Sequence, residues 1–207
     1  EPMDVRDESG MRRIVEGTYR NCGRLDTVVA NAGVSWKTDV HDLDLQAVRD
    51  TFDINVNGAL HLFEPALDIM LDEEHGHLVA VSSMASFRGL PGKAAYCASK
   101  AALARMAESF RLDLDEEPVD VTTIYPGYVE TPMTDHYPEG DLPFLVPVDE
   151  AARTMRKAIE QRKKRCVFPW QMDLLAKVMN VLPSGLVDML VQRTAASMTE
   201  DAPTGPE

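Results

Sequence analysis

"HLVAVSSMAS", residues 77–86, is the stretch on which the fold turns. Leu78 to Val81 form an unbroken apolar run that stops at Ser82-Ser83. A run this short, rich in β-branched residues, reads as a strand buried on both faces, as in a parallel sheet. Two further stretches repeat the pattern, "DTVVANAG" at 26–33 and "VDVTTIYPG" at 119–127, and each also ends in small or polar residues. Helical patterns lie between them. Asp44 is a candidate N-cap, followed by Val48, Phe52, Val56, Leu60 and Phe63 at helical spacing, with Pro65 expected to kink or end that helix. A second helix is expected over about 94–115, with Leu103, Met106, Phe110 and Leu114 on its apolar face. A Pro-rich loop over 132–147, a helix over about 148–162 and a short strand near Arg165–Phe168 follow. Strand and helix in alternation imply an α/β fold with a doubly wound parallel sheet.

Composition narrows the function classes. The 207 residues allow one domain with a sizeable core, and 44% are hydrophobic. With 21 basic against 34 acidic side chains, the net charge of −13 argues against a nucleic-acid partner. Cys22, Cys97 and Cys166 are far apart and show no metal or disulfide spacing, which suits a cytoplasmic protein. There is no apolar run of transmembrane length, so no transmembrane segment is expected, and no metal site.

Residues 1–169 are expected to form a partial Rossmann-type catalytic domain. Residues 170–198 hold two amphipathic helices, "WQMDLLAKVMNVL" and "GLVDMLVQR", separated by Pro183 and Ser184. They pack on their own domain or a sister subunit, or serve as a lid over an apolar substrate or as a membrane-touching surface. Residues 199–207 read as a disordered tail.

In open α/β sheets ligands bind beyond the carboxyl ends of the strands. Those ends carry Asn31-Ala32-Gly33, Ser82-Ser83 and Pro126-Gly127. One short loop after the second comes "AYCASKAAL", 95–103, with Tyr96 and Lys100 one helical turn apart. A hydroxyl, a phenol and an amine should therefore meet in one crevice. A free phenol titrates near 10, too high for a base at neutral pH, and a fixed ammonium beside it favours the phenolate.

These pieces, in order and in register, resemble the short-chain dehydrogenase/reductase family in its compact, single-domain branch. Asp4-Val5 resembles the family's adenine-contacting pair, "ANAG" at 30–33 its "NNAG", and Asn55 in "INVNG" its helix asparagine. Ser83 precedes Tyr96 by thirteen positions, Tyr96-x-x-x-Lys100 is the signature, and "PGYVETPM" at 126–133 resembles the nicotinamide-holding segment. The resemblance implies NAD or NADP as cofactor. It implies catalysis by Ser83, Tyr96, Lys100 and Asn55, the last in a water-mediated proton relay from Lys100. Cofactor contacts are implied for Asp4, Val5, Asn31, Ala32, Gly33, Tyr96, Lys100, Pro126, Gly127, Val129 and Thr131. It also implies a homodimer or homotetramer built on the helices near 45–63 and 94–115. Met84, Leu90, Tyr128, Met133 and Phe144 are candidate pocket residues, which points to a lipophilic secondary alcohol or ketone.

The family's Gly-rich pyrophosphate turn and its first three strands do not precede Asp4. The chain is therefore expected to start inside a longer enzyme and, alone, to hold NAD(P) weakly. The competing expectation is a truncated, inactive relative that serves as a binding or oligomerisation module. A nucleotide-sugar epimerase would share Tyr96-x-x-x-Lys100 but wants a larger substrate domain.

Overall fold

The computed structural model describes residues 2–135, 137–138, 142–182 and 184–195. Its sheet holds four parallel strands in the order β1 (Val28–Ala30), β2 (Gly76–Val81), β3 (Val119–Pro126) and β4 (Arg165–Phe168). Side-chain alternation along β2 divides the core in two. Leu78 and Ala80 point to one face, where they join Phe63, Ala66 and Met70 of helix α3 (Gly58–Asp72) and Leu103 and Ala107 of α4 (Ala94–Asp113). Val79 points to the other, beside Ile124, Cys166 and Phe168, under Ala151 and Ala158 of α5 (Val148–Glu160). Helices thus cover both faces, as the apolar β2 run requires. On the edge strand β1 only Val28 and Ala30 are buried, and Val29 is 43% exposed.

Helix α1 (Glu8–Cys22) precedes β1 and packs on α3. It is capped at one end by Asp7, whose side chain accepts from Gly10 N–H, and at the other by left-handed Gly23. Asp44 caps α2 (Leu45–Phe52), accepting from the N–H groups of Gln46 and Ala47. The expected helix then departs from its pattern. Residues Asp53–Asn57 form a π-helical turn, and α3 continues through Pro65 to Asp72. Pro65 does not end it, because burial of Phe63, Ala66 and Met70 on the same helix outweighs one missing backbone bond. From Ala47 to Phe63 the buried positions are Ala47, Thr51, Asn55, Val56, Gly58, Ala59 and Phe63, while Val48, Phe52 and Leu60 of the expected apolar face are only half-buried. Burial at every fourth position would drift around an ideal helix by about 40° per step. The wider π-turn takes up that drift and turns Asn55 inward.

Two helices follow β4. Helix α6 (Trp170–Val181) packs on β4 and on the 3-10 turn Met84–Phe87, and α7 (Ser184–Ala195) begins at the serine expected to lie between them. Arg88 donates to Asp188 Oδ1 of α7 at 2.6 Å. Pro183 and the tail 199–207 lie outside the described residues.

Candidate active site

The end of β2 is joined to α4 twice through one residue. Lys100, 4% exposed, donates from Nζ to the Val81 carbonyl at 2.9 Å, while its own carbonyl accepts from Ser82 Oγ at 2.8 Å. Ser82 is therefore an anchor, with its hydroxyl buried. Ser83, extended at φ −167° and ψ 158°, accepts from Ala85 N–H at 3.1 Å, and its hydroxyl acts on the Tyr96 phenol. Burial pushes that phenol upward, and the Ser83 hydroxyl pulls the other way. Burial also lowers the Lys100 ammonium to about 8. Helix α4 thus sets Lys100 against the end of β2, one turn along from Tyr96.

Asn55 is fully buried and closes the site from the side. Its Nδ2 donates to Val34 O at 3.0 Å and to Ser99 Oγ at 2.9 Å, and its Oδ1 accepts from Val34 N–H at 2.8 Å. Ser99 in turn donates to the Tyr96 carbonyl at 2.8 Å. The loop after β1 is thereby clamped onto α4. Ser99 escaped the sequence reading, although a polar residue three after Tyr96 in a run of alanines was a signal. Asn55→Ala should destabilise the protein by about 2 kcal/mol, because it strands two backbone groups and a hydroxyl; urea unfolding checks this.

Gly33 lies against the same groups. A Cβ there would lie 3.0 Å from Lys100 Nζ and 3.2 Å from Asn55 Oδ1, so any side chain would crowd the Lys100 ammonium and the Asn55 amide. Asn31 and Ala32 beside it are exposed. The Pro126-Gly127 segment follows β3, with Gly127 N–H donating to Phe168 O at 2.7 Å. A Cβ on Gly127 would lie 2.5 Å from Met172 Sδ, so α6 sits directly on this turn. Val129 bridges to Val146, and Thr131 N–H donates to Thr134 Oγ1 at 3.0 Å. Tyr128, whose phenol burial pushes up to about 12, lies close to Tyr96, Tyr137 and Cys97. Of the other expected pocket residues, Met84 and Leu90 are half-buried, while Met133 (40%) and Phe144 (49%) stand exposed.

Asp4 and Val5 are held elsewhere, at the start of α3. Val5 packs against Gly58, and its carbonyl meets His61 Nδ1 at 2.9 Å. Asp4 pairs with Arg6, whose hydrogen bonds lower its carboxyl to about 2. Among the described residues no helix is long and apolar enough to cross a membrane.

An ammonium carries three donors, and one is used at Val81. With the Gly33 main chain bare beside Lys100, the residues present fit the ribose end of a nicotinamide nucleotide. Residues 2–142 match the family description of the short chain dehydrogenases. The chain belongs to the short-chain dehydrogenase family. Members of that family are oxidoreductases that use NAD or NADP. An uncharacterized oxidoreductase of Myxococcus xanthus is 39% identical over 193 residues, which cover 92% of this chain and 75% of that protein. The NAD+-bound structure of a xylitol dehydrogenase is similar at 32% identity and a TM-score of 0.59, over 62% of this chain and 50% of that one. A short-chain dehydrogenase of Streptomyces avermitilis shares the fold, with a TM-score of 0.72 at 20% identity over 96% of this chain and 80% of that one.

Proposed function

We propose that this short-chain dehydrogenase interconverts a lipophilic secondary alcohol and its ketone, with Tyr96 as the general acid and base. The observation that carries this is the buried Lys100 ammonium, held at the end of β2 one turn along α4 from Tyr96, with Ser83 acting on the Tyr96 phenol. The nicotinamide, when bound, gives or takes the hydride. In the reducing direction Tyr96 gives its phenolic proton to the substrate oxygen as the carbonyl carbon gains the hydride. The Lys100 charge lowers the energy of the phenolate left behind. Ser83 donates a hydrogen bond to the same substrate oxygen where negative charge develops. Asn55 holds Val34 and Ser99 in place and, with its remaining lone pair, takes part in returning a proton to Lys100 through water.

Cofactor contacts would come from Asp4 and Val5 at the adenine end. Asn31, Ala32 and Gly33 would supply main chain, and Tyr96 and Lys100 would bond the nicotinamide ribose. Pro126, Gly127, Val129 and Thr131 would hold the nicotinamide. Met84, Leu90 and Tyr128 would give the substrate an apolar wall. We place this activity in the cytoplasm and in a homodimer or homotetramer. Residues 1–169 would form its catalytic domain, with the helices within 170–198 packed on it.

The test follows deuterium. NADH or NADPH deuterated at C4 is incubated with the enzyme and a panel of aliphatic and aromatic ketones, and the carbinols are read by mass spectrometry. Label on the carbinol carbon is expected for at least one lipophilic ketone. Unlabelled, unreduced ketones across the panel with both nucleotides would sink the proposal.

A further inference from the structure

Helix α4 begins without a cap of its own. Position 93 holds a lysine whose side chain bonds none of the first N–H groups, and Pro91 and Gly92 before it carry no side-chain acceptor. The acceptor comes instead from the loop after β1. Thr38, only 8% exposed, accepts at Oγ1 from Ala95 N–H at 3.2 Å, across 57 positions of sequence. Its own N–H donates to the Gly92 carbonyl at 2.8 Å. Gly92 stands at φ 68°, left-handed backbone that glycine adopts freely. One residue thus pins both the turn before the helix and the second residue inside it.

Tyr96 follows Ala95 directly. Its carbonyl is held from the other side, accepting from Ser99 Oγ at 2.8 Å. Ser99 is bonded in turn by Asn55, which also takes both main-chain groups of Val34. Both holds on the turn that carries Tyr96 therefore lead back to one short segment, 34–38, which starts directly after Gly33. Neither reaches the phenol. They fix the main chain from which it projects, while Lys100 is fixed separately at Val81. The placing of the phenol relative to that ammonium depends on the first turn of α4 staying where Thr38 holds it.

We propose that Thr38 is a positioning residue for the reaction: its hydroxyl caps α4 and so sets the Tyr96 phenol relative to Ser83 and Lys100. This rests on the Tyr96-centred chemistry proposed above. Thr38 acts through the helix, not on the substrate.

Thr38→Val keeps the β-branch, the volume and the main-chain bond to Gly92 and loses only the hydroxyl, whereas Thr38→Ser keeps the hydroxyl. On a ketone found by the deuterium panel, Thr38→Val should lower kcat at least about tenfold, with KM and nucleotide Kd within about threefold, because the fault lies in the geometry of the transfer and not in binding. Thr38→Ser should stay within about threefold in all of these. A second readout is free of turnover. Tyrosine labelled with 13C at Cζ gives one signal for each of the five tyrosines, and Tyr96→Phe shows which belongs to Tyr96. That signal should move in Thr38→Val and stay in Thr38→Ser. It reports where Tyr96 sits whether or not Tyr96 is the proton donor, so an active Tyr96→Phe would remove the chemistry proposed above and leave this test standing. A signal unmoved in Thr38→Val, a signal moved equally by both variants, or a Thr38→Val kcat within about twofold of the wild type would overturn the proposal. Hydrogen exchange on the wild type covers a Thr38→Val that does not fold. The Ala95 amide should exchange at least about tenfold more slowly than that of Ala94, and equal exchange would overturn the cap.

Discussion

Tyr96→Phe should lower kcat by at least about 10³-fold with nucleotide binding retained, weakened by no more than about tenfold, the worth of one ribose hydrogen bond. The change removes one oxygen. The ring, its packing and the neighbouring Lys100–Val81 bond remain, so the fold should hold within about 1 kcal/mol, the worth of one hydrogen bond. Catalysis has no such reserve. Ser83 can polarise the substrate oxygen, but a hydroxyl in this position is far too weak an acid to complete the transfer. A positioned general acid contributes about 10²–10⁴-fold, and here the same group must also be the base in the reverse direction. Single-turnover measurement separates the two effects: the bound nucleotide should persist unreacted. A kcat within tenfold of the wild type would refute Tyr96 as the proton donor.

Lys100→Met should show a trade in opposite directions: activity falls at least about 10²-fold while the nucleotide-free protein becomes more stable at pH 7. The folded chain holds the Lys100 proton at about 8, against an ordinary lysine value of 10.5. Below pH 8 both folded and unfolded chains carry the charge, and burying it disfavours folding by about 3 kcal/mol. Between pH 8 and 10.5 the unfolded chain keeps a proton that the folded one has released, so wild-type stability rises with pH across this window. Less the Val81 hydrogen bond, Lys100→Met should be about 2 kcal/mol more stable at pH 7, with the advantage fading as pH approaches 10.5. Urea titrations at pH 7, 8.5 and 10 read this directly. A variant weaker than the wild type at pH 7, or a gap that ignores pH, would contradict it.

The strands were the most legible part of the chain. Leu78–Val81 is apolar on successive positions, and Val121–Ile124 is β-branched throughout and buried, because helices lie on both sheet faces, and such runs have few alternative readings. Helix α4 was legible for a related reason, since small residues at 94, 95, 98, 101 and 102 favour it and let it lie close to β2. The segment 44–72 was not. Val56 and Phe63 of the expected face are buried, but Val48, Phe52 and Leu60 are not, because periodicity weighs hydrophobic side chains and the inward positions Thr51 and Asn55 are polar. The polar partners that satisfy them, Ala47 O for Thr51 and Val34 and Ser99 for Asn55, are in part distant in sequence. Ser83 and Tyr96 were visible as a spaced pair, whereas the tasks of Ser82 and Ser99 depend on carbonyls of α4 that no spacing rule reveals.

The π-turn at Asp53–Asn57 also constrains how this segment can change in length. Removing a single residue there would let an ordinary α-helix run from Leu45 to Asp72 with nearly every backbone bond intact, and by local criteria the result would be a better helix. It would also turn everything before the deletion by about 100° relative to everything after it. Asn55 would face away from Val34 and Ser99, or Phe63 would leave the core. Substitutions along α2 and α3 can be absorbed one side chain at a time. A change in residue count between them cannot, so gaps between this chain and active relatives should fall outside 45–72.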